Sequence, residues 1–479
     1  MNKNELLEIL PELKKATDAD PTDSRKRAEY FWRLNDLEKI YLEENDYSNS
    51  EKIILEQNRY SEGINNSANS IGWNIYKHLK SAENVDGQKV YNFINILTSI
   101  DFEKPSILYS QLAWILLKIN NEETWFLEYF KSVGLNDFSQ KDRLTSEFNG
   151  RKISPLEVRV VQKLAKIIEK NEISSEYDWI LKHIESLLPK YPNEVWLKYH
   201  KGKLLLLLNK LKEARAMILE VLKKQKSQFW AWSFLGETFE NENLDLTKSF
   251  LCKAVLLGND EKMLLGTRLK LAQLLFREKD YSRAKSEILK VIEIRKSSGF
   301  KIGEDILKIS ESKVIKEAVE ERNMKEFYKS SSSNAEDIFL EQFNEAAGIV
   351  TNILKERNIA FIQFDKNKTA SVKIAKSINL EVGDKCRIFY EEVNNRGEKK
   401  YNGVKYEKLA NAEFDFVKEV KGMLKLHPSG NFGFIDNVFI HSSICSQLKD
   451  GNEVSVLAVY EFNKKKNEFG WKGIKLIKN

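Results

Sequence analysis

Proline and glycine are scarce in this chain, seven and 21 among 479 residues. So few turn-formers exclude a fold made of many tight turns throughout and leave room for long helices. Cysteine is scarcer still: Cys252, Cys386 and Cys445 lie far apart and are odd in number, which excludes a disulfide framework and a zinc ribbon. No run of eighteen apolar residues occurs, so no membrane span is expected. The opening MNKNELLEILPELKK carries acids where a signal peptide needs its apolar core, and a cytoplasmic protein is expected. Also missing are a Gly-x-x-x-x-Gly-Lys phosphate loop, a His-Glu-x-x-His pair and a Cys-x-x-Cys pair. With five histidines in all, no catalytic residue, metal or cofactor is assigned.

What is present is length and unevenly placed charge. A chain of 479 residues implies about three domains. Hydrophobic residues at 42% suffice for cores, and charged residues at 31% imply a broad solvated surface. Residues 343–479 hold 23 Lys+Arg against 17 Asp+Glu, whereas residues 1–342 are balanced, 54 against 54. The whole positive surplus therefore sits in the last part of the chain, where it favours contact with phosphates.

The first 300 residues follow a helical apolar period. Ser154-Pro155 ahead of LEVRVVQKLAKIIEK predicts an N-cap and a first-turn proline. Ser175 and Asp178 predict a capping box ahead of WILKHIESLL. Gly202, Gly236 and Ala272 recur at intervals of 34 and 36 residues, and Ala214 and Ala284 each follow such a small residue by twelve. Segment 232–239, WSFLGETF, resembles the tetratricopeptide signature, with Phe239 in the tyrosine place. The resemblance implies about four helical-hairpin units across 154–300, in which small residues let helices approach closely. Trp196, Tyr199 and Lys203 share one helical face, as do Trp230, Ser233 and Glu237 34 residues on. That face suits a protein-binding groove; the same spacing also suits tryptophans packed between units.

A final helix is expected at about 303–328, followed by KSSSSNAED, whose serine run reads as a linker. Beyond it the period changes to two. The runs GMLKL, FGFI, VFIH and EVSVLAVYEF predict a small five-stranded barrel. If Gly433, Ile435, Val438 and Ile440 face inward, then Phe432, Phe434, Phe439 and His441 face water on neighbouring strands. Rings there form a platform on which bases stack, with Lys421, Lys425 and Lys464 to Lys466 near the phosphates.

Asn431-Phe-Gly-Phe-Ile435 and Val438-Phe-Ile-His441 resemble the paired ribonucleoprotein motifs of the cold-shock family. Gly422-Met-Leu-Lys425 resembles that family's first strand. The resemblance implies an OB barrel binding single-stranded RNA or DNA, with Phe432, Phe434, Phe439 and His441 as stacking residues and Lys425 beside them. Leu426 and His427 stand where the family has two aromatics, and Ser442 where another is usual, which implies weaker binding. Residues 347–408 resemble a second copy with Ile359 and Lys373 in place of Phe432 and Phe439. There Lys366, Lys368, Lys373, Lys376, Lys385 and Arg387 keep the surface basic.

The expected organisation is multidomain: a helical region (1–150), a tetratricopeptide-like array (151–325), a linker (326–342) and two OB-like barrels (343–410 and 413–479). The arrangement is similar to proteins of bacterial conflict (defence) operons. It implies a non-enzymatic adaptor whose array binds a protein partner and whose last barrel binds single-stranded nucleic acid. The alternative is a nuclease or regulatory enzyme with its active site in residues 1–150.

Overall fold

The computed structural model describes residues 1–81, 87–119, 124–374, 380–395, 397–446, 448–463 and 466–477. They form two compact units, Met1–Ser331 and Ser332–Asn479.

The first unit opens with seven helices, α1 (Lys3–Ala19), α2 (Ser24–Glu43), α3 (Tyr47–Arg59), α4 (Ser67–Ser81), α5 (Gly87–Ser99), α6 (Ile107–Lys118) and α7 (Trp125–Val133). A short hairpin, β1 (Ser146–Phe148) and β2 (Arg151–Ile153), leads to α8 (Leu156–Lys170) and α9 (Tyr177–Leu187). One apolar core runs without a break from Phe31 on α2 through Leu164 to Leu197 and Leu204. Residues 1–150 therefore share their core with the array, and the expected division at 150 has no counterpart in the packing. The C-terminal carbonyls of α6 are met by a lysine: the Lys163 ammonium donates to the Leu116 and Ile119 oxygens at 3.0 and 2.9 Å.

Three hairpins follow: α10 (Val195–Leu207) with α11 (Leu211–Gln225), α12 (Phe229–Glu237) with α13 (Leu244–Leu257), and α14 (Leu265–Arg277) with α15 (Tyr281–Ser297). The repeating small residues have the expected role. A Cβ on Gly202 would lie 3.0 Å from the Phe234 ring of the next unit, and one on Gly236 3.1 Å from Phe250 of its own hairpin. Ala214, Ala272 and Ala284 are fully buried. The two predicted caps differ: α8 begins after Pro155 with no side-chain cap, and the Ser154 hydroxyl donates instead to Glu194 at 3.0 Å. Ser175 lies in a 3-10 turn before α9, which likewise lacks a side-chain cap.

The single helix expected at 303–328 is three pieces, α16 (Glu304–Ser310), α17 (Lys313–Glu317) and α18 (Met324–Ser331). The predicted linker at 326–342 is a correction too. It is mostly helical, in α18 and α19 (Ser333–Leu340), and the unit division falls inside it. Composition misled because apolar anchors flank the serines: Phe327 and Tyr328 before them, Phe339 and Leu340 after, all buried. Tyr328 joins a buried cluster in which Arg268 donates to its hydroxyl at 3.1 Å and to Glu287 at 3.0 Å. Such a cluster is held by complete pairing, since an orphaned charge there would be costly.

The second unit holds two barrels. In the first, β3 (Asn344–Leu354), β4 (Ile359–Asp365), β5 (Lys368–Lys373), β6 (Lys385–Asn395) and β7 (Glu398–Lys408) close in the order β3-β4-β5-β7-β6. The second comprises β8 (Val417–Met423), β9 (Lys425–Leu426), β10 (Phe432–Ile435), β11 (Val438–His441), a helical turn α20 (Ser442–Cys445), β12 (Glu453–Asn463) and β13 (Glu468–Ile477). Its strand order is β8-β12-β13-β11-β10-β9. The two ends of that sheet are halves of one strand interrupted at Leu424, whose N–H and carbonyl bond to Asn452 and Gly451 instead, both at 2.8 Å. Small residues again permit close packing, since a Cβ on Gly473 would lie 2.7 Å from Ile440, its neighbour on β11.

Candidate nucleic-acid interface

Period-two alternation positions the site. Gly433, Ile435, Val438 and Ile440 are buried in the second barrel, so Phe432, Phe434 and Phe439 stand half-exposed and His441 exposed on the opposite face. β10 and β11 pair antiparallel with Phe434 opposite Phe439 and Phe432 opposite His441. The three phenylalanine centroids lie 5.7 to 5.9 Å from one another. Lys425 is exposed directly opposite Phe434 on β9, with no ion-pair partner among the described residues.

His427, read from sequence as a departure from the family pattern, lies on Phe432: their rings stack at 4.3 Å, 21° from parallel. Its Nδ1 accepts from the Ser429 N–H at 3.3 Å, which fixes the ring's direction. His441 has a second task. Its Nδ1 accepts from the Ser443 N–H at 3.2 Å and caps α20, leaving Nε2 as the proton-bearing atom. Of the flanking lysines, Lys421 is paired with Glu453 at 3.3 Å; Lys472, which sequence reading passed over, lies beside Phe439 and pairs with Glu461 at 2.8 Å. Lys464 and Lys465 lie outside the described residues.

The platform is not what holds the barrels together. Their seam is an apolar cluster of Ile349, Phe416 and Val459 with Phe414, Val417, Leu457, Tyr460 and Ile474. The buried Gln363 amide donates to the Tyr460 carbonyl at 2.8 Å across it, and Lys366 pairs with Asp415 at 2.8 Å. None of the three platform phenylalanines takes part.

Register also corrects the reading of the first barrel. Lys373 pairs with Ile359, as His441 pairs with Phe432, so Lys373 occupies the histidine position. The residue opposite Phe361, in the place of Phe439, is Ser371. Of the basic residues read there, Lys368 and Arg387 are paired with Asp365 and Glu345, and Lys376 lies outside the described residues.

In the array the proposed groove residues do come together on successive first helices. Trp196 stacks on Trp230 at 4.8 Å, and Tyr199 meets Trp230 edge-on at 5.2 Å. The rest of the set is engaged internally. Ser233 is buried and accepts from the Thr267 hydroxyl at 3.1 Å, and Glu237 binds both Lys203 and Lys270. Burial pushes the Glu237 carboxyl up, but the two ammonium groups outweigh it and hold it below the usual carboxylate range. Trp196 remains 46% exposed. The tryptophans thus pack between units and still offer an open edge.

Within residues 1–150, the Ser50 hydroxyl lies 3.1 Å from both Glu38 Oε1 and His78 Nδ1, and all three are buried. Burial pushes Glu38 up to about 7 and His78 down to about 4. The serine, not the histidine, is the central member, an order unlike that of a hydrolytic triad, in which the base stands between nucleophile and acid. No group of three or more metal-ligating side chains occurs among the described residues, and no described helix is long and apolar enough to cross a membrane.

Two family models match parts of the chain. Residues 195–335, from the start of α10 into α19, match a domain of unknown function (DUF7017). No curated protein matches. Among solved structures, MamA (41-end) from Desulfovibrio magneticus RS-1 is 19% identical over 40% of this chain and 94% of its own, at a TM-score of 0.30. A tetratricopeptide repeat protein from Parabacteroides merdae ATCC 43184 is 14% identical over 57% and 93%, at a TM-score of 0.26. Scores this low say nothing of function. Residues 418–476 match the S1/CSD-like domain 2 of the TOTE conflict systems, so that a helical-repeat array is followed here by a barrel similar to that domain.

Proposed function

We propose that this chain is a non-enzymatic adaptor whose last barrel, 413–479, binds single-stranded nucleic acid with a mild preference for RNA, while its helical array holds a protein partner. The observation that carries the reading is the platform: three outward phenylalanines within 6 Å of one another, flanked by His427 and by Lys425, which has no ion-pair partner among the described residues. Rings left facing water on two adjacent strands suit a ligand with flat faces of its own, and every base offers one. Similarity of this segment to a domain of conflict systems supports a setting in bacterial defence, and the absence of a described membrane-spanning helix is compatible with a cytoplasmic protein. The exposed edge of the Trp196–Trp230 stack is the place for the protein partner.

Stacking requires unstacked bases, so single strands should bind clearly better than duplexes of the same sequence. The flanking charge is small because Lys421 and Lys472 are already paired. Log affinity should therefore fall with log salt at a slope of only about 1–3, at roughly 0.7 per phosphate contact. Fluorescence anisotropy with single-stranded RNA, single-stranded DNA and duplex across a salt series measures both. Duplex binding as tight as single-strand binding would leave a basic surface and no stacking site.

A further inference from the structure

Helices packed as neighbours are usually joined by about 2–8 residues. The connection between α7 and α8 takes residues 134–155 and contains the hairpin of β1 and β2. No core calls for this hairpin, since every residue from 143 to 152 is exposed. A two-stranded ribbon in water is marginally stable by itself, so its turn has to specify it. Asn149 and Gly150 do so at φ of 50° and 73°, the two left-handed central residues that suit a two-residue hairpin turn. The ribbon therefore presents a surface to water rather than covering one.

That surface combines a ring with cations. Phe148 stands directly opposite Arg151, and Glu147 opposite Lys152. Directly opposed residues share a face, so Phe148 and Arg151 lie together on one side and Lys152 on the other. Phe148 is 67% exposed. Residues 1–342 as a whole are balanced in charge, but residues 141–152 hold four cations against two acids. One of those acids, Asp142, is buried, and the Ser110 and Ser139 hydroxyls donate to it at 2.5 and 2.8 Å. Arg143 is paired with Glu157 at 3.5 Å. Lys141, Arg151 and Lys152 stay exposed with no ion-pair partner among the described residues, against Glu147. Cations on both faces suit a polyanion, and a ring beside a guanidinium suits bases, which stack on either. Every nucleotide brings both a phosphate and a flat face. An acidic protein surface brings the charge but needs a separate apolar pocket for Phe148. Only unstacked bases offer their faces, so the ligand is a single strand.

We propose that the β1–β2 hairpin is a second site for single-stranded nucleic acid, in the helical unit and separate from the barrel platform. A base stacks on Phe148 and Arg151, and phosphates meet Lys152. With one ring where the platform has three, it is the weaker site. The test titrates a fluorescein-labelled oligouridine of about 8 nucleotides against four full-length proteins. They are the wild type, F432A/F434A/F439A, that platform variant carrying F148A/R151A/K152A as well, and that platform variant carrying F148Y. Loss of the platform should leave weak binding, which the three hairpin substitutions reduce a further tenfold or more. F148Y, which keeps the ring, should leave it unchanged. No residual binding without the platform, or residual binding that F148A/R151A/K152A does not alter, overturns the proposal. So does an F148Y variant as weak as F148A/R151A/K152A, or sedimentation showing that the hairpin instead seats a second copy of the chain. Equal binding by wild type and F432A/F434A/F439A that the hairpin substitutions abolish would support the hairpin and refute the platform.

Discussion

The two barrels share a topology and differ at five of six surface positions that register places in correspondence. Around the platform of the second barrel stand Lys425, His427, Phe432, Phe434, Phe439 and His441. The matching positions in the first are Asn352, Leu354, Ile359, Phe361, Ser371 and Lys373. Five aromatic or imidazole rings in one become a single phenylalanine in the other. The apolar residues under each sheet remain, Ile362 and Ala370 in the first and Ile435 and Val438 in the second. A barrel therefore folds without the outward rings, and what the second carries beyond the first is surface chemistry available to a ligand.

The largest expected effect removes that surplus. F432A/F434A/F439A should weaken single-strand binding by more than about 3 kcal/mol, since each stacked base contributes about 1–3. Circular dichroism of the variant should match that of the wild type, because all three side chains face away from the core. A loss of fold instead would mean that the rings are structural and that the barrels differ in packing. The reverse exchange is the next largest. Ile359→Phe with Ser371→Phe adds two rings to Phe361, making three in the first barrel, and should strengthen binding of long oligonucleotides by about 1 kcal/mol. His427→Ala, which removes the ring stacked on Phe432, should cost about 0.5–1 kcal/mol in binding by isothermal titration. Smallest of all, Ile359→Ala and Lys373→Ala in the first barrel should each change affinity by less than about 0.5 kcal/mol. A larger loss there would erase the distinction between the barrels.

The platform was legible in the sequence because NFGFI and VFIH alternate in step with a strand, and two residues, Asp436 and Asn437, join them. The short turn leaves one register open. In the first barrel the corresponding hairpin is longer, with Ile362 opposite Ala370 and an irregularity between Gln363 and Asp365. No motif marks its return strand, so Lys373 was assigned to the wrong partner position. His427 was missed because its role arises across strands and depends on the turn that brings it over Phe432. The sequence leaves the facing of Phe469 and Trp471 open for a related reason: it follows only once the pairing of β12 with β13 and of Trp471 with Val438 is known. In the helical unit the 34-residue recurrence of small residues announced the hairpins. The serine run hid α18 and α19, since local polarity outweighed the buried aromatics at its flanks.

The most direct test of the contrast between the barrels is ultraviolet crosslinking of the full-length protein to single-stranded RNA, with the attached peptides identified by mass spectrometry. Zero-length crosslinks report rings in contact with bases. The expected result is attachment at Phe432, Phe434 and Phe439, with the segments containing Ile359 and Ser371 unlabelled. Labelling confined to the first barrel, or to the helical array, would contradict it.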